Sequence, residues 1–519
     1  MKNNKTKKTI PPVHRLSYQR VILLTALSAL LSTAAFPHLE LWGLAWIGLV
    51  PLLYILATAR AASSFAAGVL FGSLHMIGLA YWIFNALYFH TSAGLLVSSL
   101  FLVLVIGLYL GLYYGLFALA AARIMQSRCP WYLKTLYVAS AWVCAEYMRA
   151  HLLSGMPWEL FGYSQYRWLR LIQIADITGV YGISFILAGA NFCIYQACTV
   201  WPDIRKSFCM VMPAIALVAV VLLYGAFSLS RYPAQPPVKE EHKIGIVQCS
   251  ILQDERWKDD TQDMQVSRYL SQTDEAFRQG TKLILWPEAA LQIYLQEQIP
   301  DSIVHLLVRN NCTLLTGGPR YTGQPGDYTF YNSAFLLTKN GIVQFYDKLH
   351  LLPFGEYFPL NFVDVLRTSY AGPREYSEGG QYTVLATPEG KLGTLICFEI
   401  IFPELARGFV EKGAEILVNI SNDAWFGRTS AHYQHFSMAV FRAVEFRRPV
   451  LRSANTGISG HIDAAGRIVS RIEPFQEGII VCSPGTGHGE TFYCRYGDLF
   501  VCFCLAVFLF SLAIKRRRG

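Results

Sequence analysis

Apolar runs long enough to cross a bilayer recur along this chain, and their distribution limits its architecture more than any other feature. A span needs about 20 apolar residues. Candidate runs fall at 21–36, 41–59, 65–84, 95–122, 133–148, 174–198, 208–229 and, after a long interruption, 499–514. Composition agrees: 53% of the residues are hydrophobic and only 15% charged, and the mean hydropathy is +0.33. That balance excludes a disordered chain, and no G-X-Y or heptad repeat supports a fibrous one. A basic n-region before the first run resembles the start of a signal peptide, with Ser32, Thr33, Ala34 and Ala35 as small residues. We read this run as an uncleaved anchor.

The formal charge of +9 does not point to nucleic acid. Lys2, Lys5, Lys7, Lys8, Arg15 and Arg20, together with Lys515, Arg516, Arg517 and Arg518, supply more than the whole excess from the two tails. A nucleic-acid domain carries its basic excess on a folded face, whereas basic tails beside apolar runs set membrane orientation. With eight helices, the tails, Arg60, Arg123, Arg128, Arg205 and Lys206 share the cytoplasmic side, and loops 37–40 and 85–94 carry no Lys or Arg. The loop with Arg149, Arg167 and Arg170 is the exception. The expected division is a membrane domain of seven helices at 1–229, a linker at 230–242, a periplasmic domain at 243–498, and an eighth helix with a basic tail at 499–519. The localisation expected is the inner membrane of a two-membrane bacterium, with both termini cytoplasmic.

The outer segment reads as a layered α/β domain. Apolar runs at 244–247, 283–286, 314–316, 334–337, 392–397, 416–420 and 479–482 fit strands, and 261–278 and 432–446 fit helices. Three strand ends carry chemistry. The run Leu283-Ile284-Leu285-Trp286-Pro287 closes on Glu288, where apolar walls suit a carboxyl to general acid or base work. Lys348 follows Tyr346 and Asp347. Cys397 ends Leu395-Ile396-Cys397-Phe398-Glu399, and a thiol near an ammonium and a carboxylate is a candidate nucleophile. Taken singly, each has a bland explanation as cap, solvated charge or packing; in combination they point to covalent catalysis.

Trp286-Pro287-Glu288, Asp347-Lys348 and Ile396-Cys397-Phe398-Glu399, in the order Glu, Lys, Cys, resemble the nitrilase (carbon-nitrogen hydrolase) superfamily over about 243–484. The resemblance implies an αββα sandwich. More closely, the whole chain resembles the apolipoprotein N-acyltransferase family. The marks are Lys348-Leu349-His350-Leu351-Leu352-Pro353-Phe354-Gly355-Glu356-Tyr357, Asn422-Asp423-Ala424-Trp425-Phe426-Gly427, Pro157-Trp158 and Gly162-Tyr163-Ser164-Gln165, plus seven helices before the domain and one after. By that resemblance Glu288 is the general base, Lys348 the oxyanion stabiliser and Cys397 the nucleophile. Glu356 assists Lys348, and Glu399, Trp158, Trp257, Asn332 and Trp425 fall where the family shapes its pocket or entrance. Phe398 stands where relatives often carry Tyr, so a hydroxyl contact is absent there.

The implied reaction moves an acyl chain from the sn-1 position of a phospholipid, phosphatidylethanolamine by expectation, to the α-amine of an S-diacylglyceryl-cysteine apolipoprotein through a thioester. No metal and no dissociable cofactor is called for. The apolar stretch 357–367, with Phe358 and Phe362, is expected to form a mobile arm that dips into the outer leaflet. Three other readings stay open. A membrane-anchored amidase or nitrilase shares the triad; Glu146, Arg149 and Asp176 near membrane depth suit a transporter; His432-x-x-His435 has metal-ligand spacing but lacks the glutamate of HExxH.

Overall fold

The computed structural model describes residues 17–91, 93–232, 242–252, 262–358, 375–487 and 489–513. Its first half is helical. Among the described residues, four helices are long and apolar enough to cross a membrane: Ala61–Ala80, Leu95–Met125, Val180–Val200 and Ile204–Arg231. Tyr18–Ala34, Trp42–Leu56 and Leu499–Leu512 are apolar but shorter. Two expected runs are broken by local backbone chemistry. In the second, a 3-10 turn at Trp42–Trp46 precedes a helix at Val50–Leu56, which starts where Pro51 needs no backbone donor. In the sixth, Gly179 at φ 62 separates a short turn at Ala175–Thr178 from Val180–Val200.

Small residues let the longest helices approach closely. A Cβ on Gly72 would lie 2.9 Å from the Gly111 Cα, so the Ala61–Ala80 helix meets its neighbour backbone to backbone. The Trp131–His151 helix carries Glu146 and Arg149, both buried. Glu146 Oε1 accepts from Phe161 N at 2.6 Å, and Arg149 Nη1 donates to the Met156 and Trp158 carbonyls, each at 2.8 Å. These charges, read above as a possible transport path, tie down the loop that carries Pro157-Trp158.

Among the described residues the second half forms two six-stranded sheets. In chain order the strands are β1 (Ile244–Gln248), β2 (Leu283–Leu285), β3 (Thr313–Gln324), β4 (Asp327–Thr338), β5 (Gly341–Asp347), β6 (Val384–Thr387), β7 (Gly390–Ile396), β8 (Ile416–Ser421), β9 (Val450–Ala454), β10 (Ser459–Ile462), β11 (Ile468–Ile472) and β12 (Gly478–Cys482). One sheet runs β12-β1-β2-β3-β4-β5 and the other β11-β10-β9-β8-β7-β6. Each has a parallel core, β1-β2-β3 and β7-β8-β9, with antiparallel flanks. Parallel strands are covered on both faces, which explains why β1, β2, β8 and β9 are buried along their whole length. The sheets meet face to face, where Ser453 Oγ on β9 donates to the Val247 and Leu285 carbonyls, both at 3.2 Å.

Helices Gln262–Arg278 and Asp301–Asn310 cover the first sheet, and Pro403–Glu411 and Ala431–Phe446 the second, which gives the expected αββα layering. Every residue of Ala431–Phe446 except Tyr433 is buried, polar ones included. Its outer face is pressed against the helical half. Gln434 accepts from Trp158 Nε1 at 2.8 Å, Ser437 donates to Glu159 at 3.1 Å, and Arg442 donates to the Tyr163 hydroxyl at 2.8 Å. Just beyond the helix, Arg447 Nη2 pairs with Asp176 at 2.5 Å and Nη1 donates to Gln173 at 2.7 Å. Buried ion pairs and amides therefore fix the two-sheet half on the helical one.

Candidate active site

The three strand ends converge where the two sheets face each other. Glu288 follows β2, Lys348 follows β5 and Cys397 follows β7. Lys348 is 1% exposed, and its Nζ lies 2.8 Å from Glu356 Oε2 and 4.0 Å from Glu288 Oε1. Asn332, on β4, donates to Glu288 Oε1 at 2.8 Å and to Glu356 Oε1 at 2.7 Å. The other Glu288 oxygen accepts from Asn422 N at 2.8 Å, and Glu356 Oε2 accepts from Leu352 N at 2.7 Å. Two carboxylates thus share one ammonium and one amide in a buried pocket. Burial pulls Lys348 down, but the Glu356 and Glu288 charges outweigh it and raise the ammonium above its ordinary range.

Cys397 opens a 3-10 turn, Cys397–Ile401, at φ 53. That region suits glycine, and a residue with a Cβ there costs about 1–3 kcal/mol unless its surroundings hold it. Here the Cys397 carbonyl faces Asn419 Nδ2 and His435 Nε2, both at 3.2 Å. Burial pushes the thiol up, the Glu288 charge adds to that, and Lys348 opposes it. Glu399, two residues on, is fully buried. Its oxygens accept from Ile396 N at 2.7 Å, Leu349 N at 2.7 Å, His350 N at 3.0 Å and the Tyr346 hydroxyl at 2.8 Å. Burial raises its carboxyl to about 7, against the pull of the Lys348 charge. Glu399 therefore stitches the Cys397 turn to the strand end that carries Lys348.

The remaining expected residues take distinct places. Asn332 sits inside the pocket, as described. Phe398 is buried and packs edge-on against Phe402, with ring centroids 5.2 Å apart. Trp158 is fully buried, its ring 5.7 Å from that of His435 and 4.8 Å from that of Trp82; it supports the site from behind. Trp425 is half-buried with its ring against His90. Phe358 is buried at 4% exposure and packs on Phe354, whose ring in turn meets Phe101 of the helical half. It is covered by protein. Trp257, Phe362 and most of the expected arm lie outside the described residues.

One nitrogen of each HxxH ring faces backbone: His432 Nε2 lies 2.7 Å from the Gly427 carbonyl and His435 Nε2 contacts Cys397 as above, while His435 Nδ1 lies between Arg452 and Asp423 at 2.9 and 3.2 Å. Among the described residues no group of three or more His, Cys, Asp or Glu side chains could hold a metal ion. Three contributors went unrecognised in the sequence. Gly317 on β3 passes so close to Glu288 that a Cβ there would be 2.7 Å from the Glu288 Cα. Ser421 donates to Asp423 at 2.6 Å and lies within reach of the Cys397 thiol. Arg452, an arginine inside an apolar strand, pairs with Asp423 at 2.7 Å. Burial works against ionised Asp423, but the Arg452 guanidinium holds its carboxyl well below the usual range.

A thiol, a carboxylate and a buried ammonium brought together at three strand ends can form and resolve a tetrahedral adduct on a carbonyl carbon. Comparison with known proteins narrows this chemistry. Residues 243–483 match the carbon-nitrogen hydrolase family, and residues 28–193 match the apolipoprotein N-acyltransferase N-terminal domain. A Geobacter metallireducens protein named apolipoprotein N-acyltransferase is 36% identical over 512 residues, covering 96% of each chain. One of the same name from Chlorobaculum tepidum is 29% identical over 96% of each chain, and one from Rickettsia typhi 34% identical over 64% of this chain and 66% of that one. With a two-sheet sandwich bearing Glu288, Lys348 and Cys397, a helical half fused to it, and a relative of this similarity along nearly its whole length, the chain belongs to the apolipoprotein N-acyltransferase family.

Proposed function

We propose that this protein transfers an acyl chain from the sn-1 ester of a phospholipid to the α-amine of an S-diacylglyceryl-cysteine apolipoprotein. The observation that carries the reading is the convergence of Glu288, Lys348 and Cys397 in a buried pocket seated on an apolar helical half. The Cys397 thiol attacks the ester carbonyl while Glu288 takes its proton, and the Lys348 ammonium faces the developing oxyanion. Glu288 returns that proton to the departing lysophospholipid oxygen, leaving a thioester on Cys397. In the second half the neutral amine attacks the thioester, Glu288 accepts a proton from nitrogen, and that proton goes to the leaving sulfur. Glu356 holds Lys348 in place. A sequestered pocket keeps water from the thioester, and both lipid substrates reach it without leaving the bilayer.

The same reading gives eight membrane passes, the catalytic domain at 243–498 on the periplasmic side, both termini in the cytoplasm, and phosphatidylethanolamine as donor. The charge asymmetry of the loops supports that orientation. The shorter apolar helices then cross with help from neighbours and local thinning. Incubation of purified protein with phosphatidylethanolamine alone is expected to add one acyl mass to the peptide containing Cys397. A diacylglyceryl-cysteine peptide should then discharge it. Absence of the adduct, or discharge to water at the same rate as to the amine, overturns the transferase reading. A periplasm-only reporter fused after Pro237 should be active, and one fused after Arg518 silent.

A further inference from the structure

The turn that bears Cys397 is backed by a cluster that the transfer chemistry leaves unused. Asn419, Asp423, His435 and Arg452 are all fully buried. Arg452 Nη2 stands 2.7 Å from Asp423 Oδ2 and 2.9 Å from His435 Nδ1, Nη1 donates to Asn419 Oδ1, and Nε donates to the Ile458 carbonyl at 3.1 Å. A guanidinium only donates. His435 Nδ1 also lies 3.2 Å from Asp423 Oδ1, an oxygen that already accepts from the Ser421 hydroxyl at 2.6 Å. The closer Arg452 donor on Nδ1 and the Cys397 carbonyl 3.2 Å from Nε2 both ask for the lone pair on Nδ1 and the ring proton on Nε2. The same reasoning orients Asn419. Its oxygen accepts from Arg452, so its nitrogen donates, to the Leu395 carbonyl at 2.8 Å and to the Cys397 carbonyl at 3.2 Å. One arginine thus aims two donors at one carbonyl, that of a residue held at φ 53. The Trp158 ring closes the far side of His435.

We infer that His435 and Arg452 are positioning residues for the nucleophile: Arg452 selects the Nε2–H tautomer of His435, which together with Asn419 clamps the Cys397 carbonyl and holds the thiol toward Glu288 and Lys348. The inference rests on Cys397 being the nucleophile of the proposed transfer. Burial, and after it the Arg452 charge, lower His435 to about 4, so the ring stays neutral in its role. Nothing in this assignment gives His435 a contact with lipid. It acts on the rate of attack and not on substrate affinity.

His435→Gln keeps a donor and an acceptor on a flexible stem, whereas His435→Met has a similar length and neither. The Met variant is expected to form the acyl-enzyme about 10- to 100-fold more slowly with KM for phosphatidylethanolamine unchanged, because a small misplacement of a nucleophile has that effect. The Gln variant should recover most of the rate. Alkylation of Cys397 by iodoacetamide, which needs no lipid, should follow the same order. A Met variant as fast as the unaltered protein, or a Gln variant as slow as Met, overturns the assignment. If the unaltered protein forms no acyl-enzyme yet alkylation still separates Gln from Met, the transferase reading fails and the positioning role stands. Should the Met variant not fold, ring-15N spectra of the unaltered protein decide: a neutral Nε2–H ring is expected, and an Nδ1–H ring overturns the inference.

Discussion

The Asn332 side-chain nitrogen donates to Glu288 Oε1 at 2.8 Å. Its second proton reaches Glu356 at 2.7 Å, so one amide joins the proposed base to the acid that pairs with Lys348. Asn332→Leu removes a donor from both carboxylates. Loss of a hydrogen bond to a charged group costs about 1.5–3 kcal/mol, so acyl-enzyme formation should slow about 10- to 100-fold. Asn332→Asp should be worse, with three carboxylates around one ammonium. Single-turnover acylation measures both, and an unchanged rate for Leu would remove Asn332 from the site.

Gly317 has no room for a side chain, since its absent Cβ would sit 2.7 Å from both the Glu288 Cα and the Ala289 nitrogen. Gly317→Ala must push the Glu288 turn away from β3. We expect about 1–3 kcal/mol of destabilisation, the usual result of overpacking, and a loss of transfer larger than the loss of folded protein explains. Gly380→Ala, where nothing lies within 4 Å, is the matched control. Equal activity in the two variants would show that Glu288 tolerates displacement.

Much of this architecture can be read along the chain, because it depends on local signals. Apolar runs mark the helices, and the breaks at Pro51 and Gly179 use residues that interrupt them for known backbone reasons. Glu288, Lys348 and Cys397 stand out as polar residues closing strands. What escapes reading is edge, polar or long-range: β9 and β10 are interior and buried throughout, but Arg452, Ser453, Ser459 and His461 break their short apolar runs. β5 and β6 are edge strands with mixed burial, so their apolar pattern is weak. The 403–411 helix is short, and only its packed position in the fold separates it from a loop. Arg452 in a buried strand has no meaning until Asp423, His435 and Asn419 are beside it. Asp176, read in sequence as a membrane-depth acid, finds its partner 271 residues away.

That partner is Arg447, which also donates to Ser228 Oγ at 2.8 Å. Arg447→Met leaves the Asp176 carboxylate buried beside an apolar side chain. Removing one member of a buried pair typically costs about 3–5 kcal/mol, and here the cost falls on the seam between the halves. Protease cleavage near the expected 230–242 linker should accelerate before the two-sheet sandwich itself unfolds. Replacing both residues, Arg447→Met with Asp176→Leu, should return part of the stability. A double variant as labile as the single one would mean that Gln173 and Ser228, not the ion pair, hold the seam.

The protonation state of Cys397 separates two ways of starting the reaction. Burial and the Glu288 charge push the thiol above its ordinary 9, with Lys348 and Ser421 pulling the other way and not prevailing. A raised pKa favours the neutral thiol, so near neutral pH the resting enzyme holds S–H, and the thiolate forms only as Glu288 accepts the proton during attack. Alkylation of Cys397 by iodoacetamide, followed on its own peptide, should therefore rise by about tenfold per pH unit with no plateau below 9. Glu288→Gln removes a negative charge next to sulfur, which lowers the thiol pKa and should speed alkylation at a given pH. The same substitution removes the proton acceptor and should abolish acylation by phospholipid. Opposite responses of one variant to two electrophiles are what a general base requires. A plateau near neutral pH, or a Glu288→Gln protein slowed equally toward both reagents, would mean that the thiolate is already formed and that Glu288 serves only to shape the pocket.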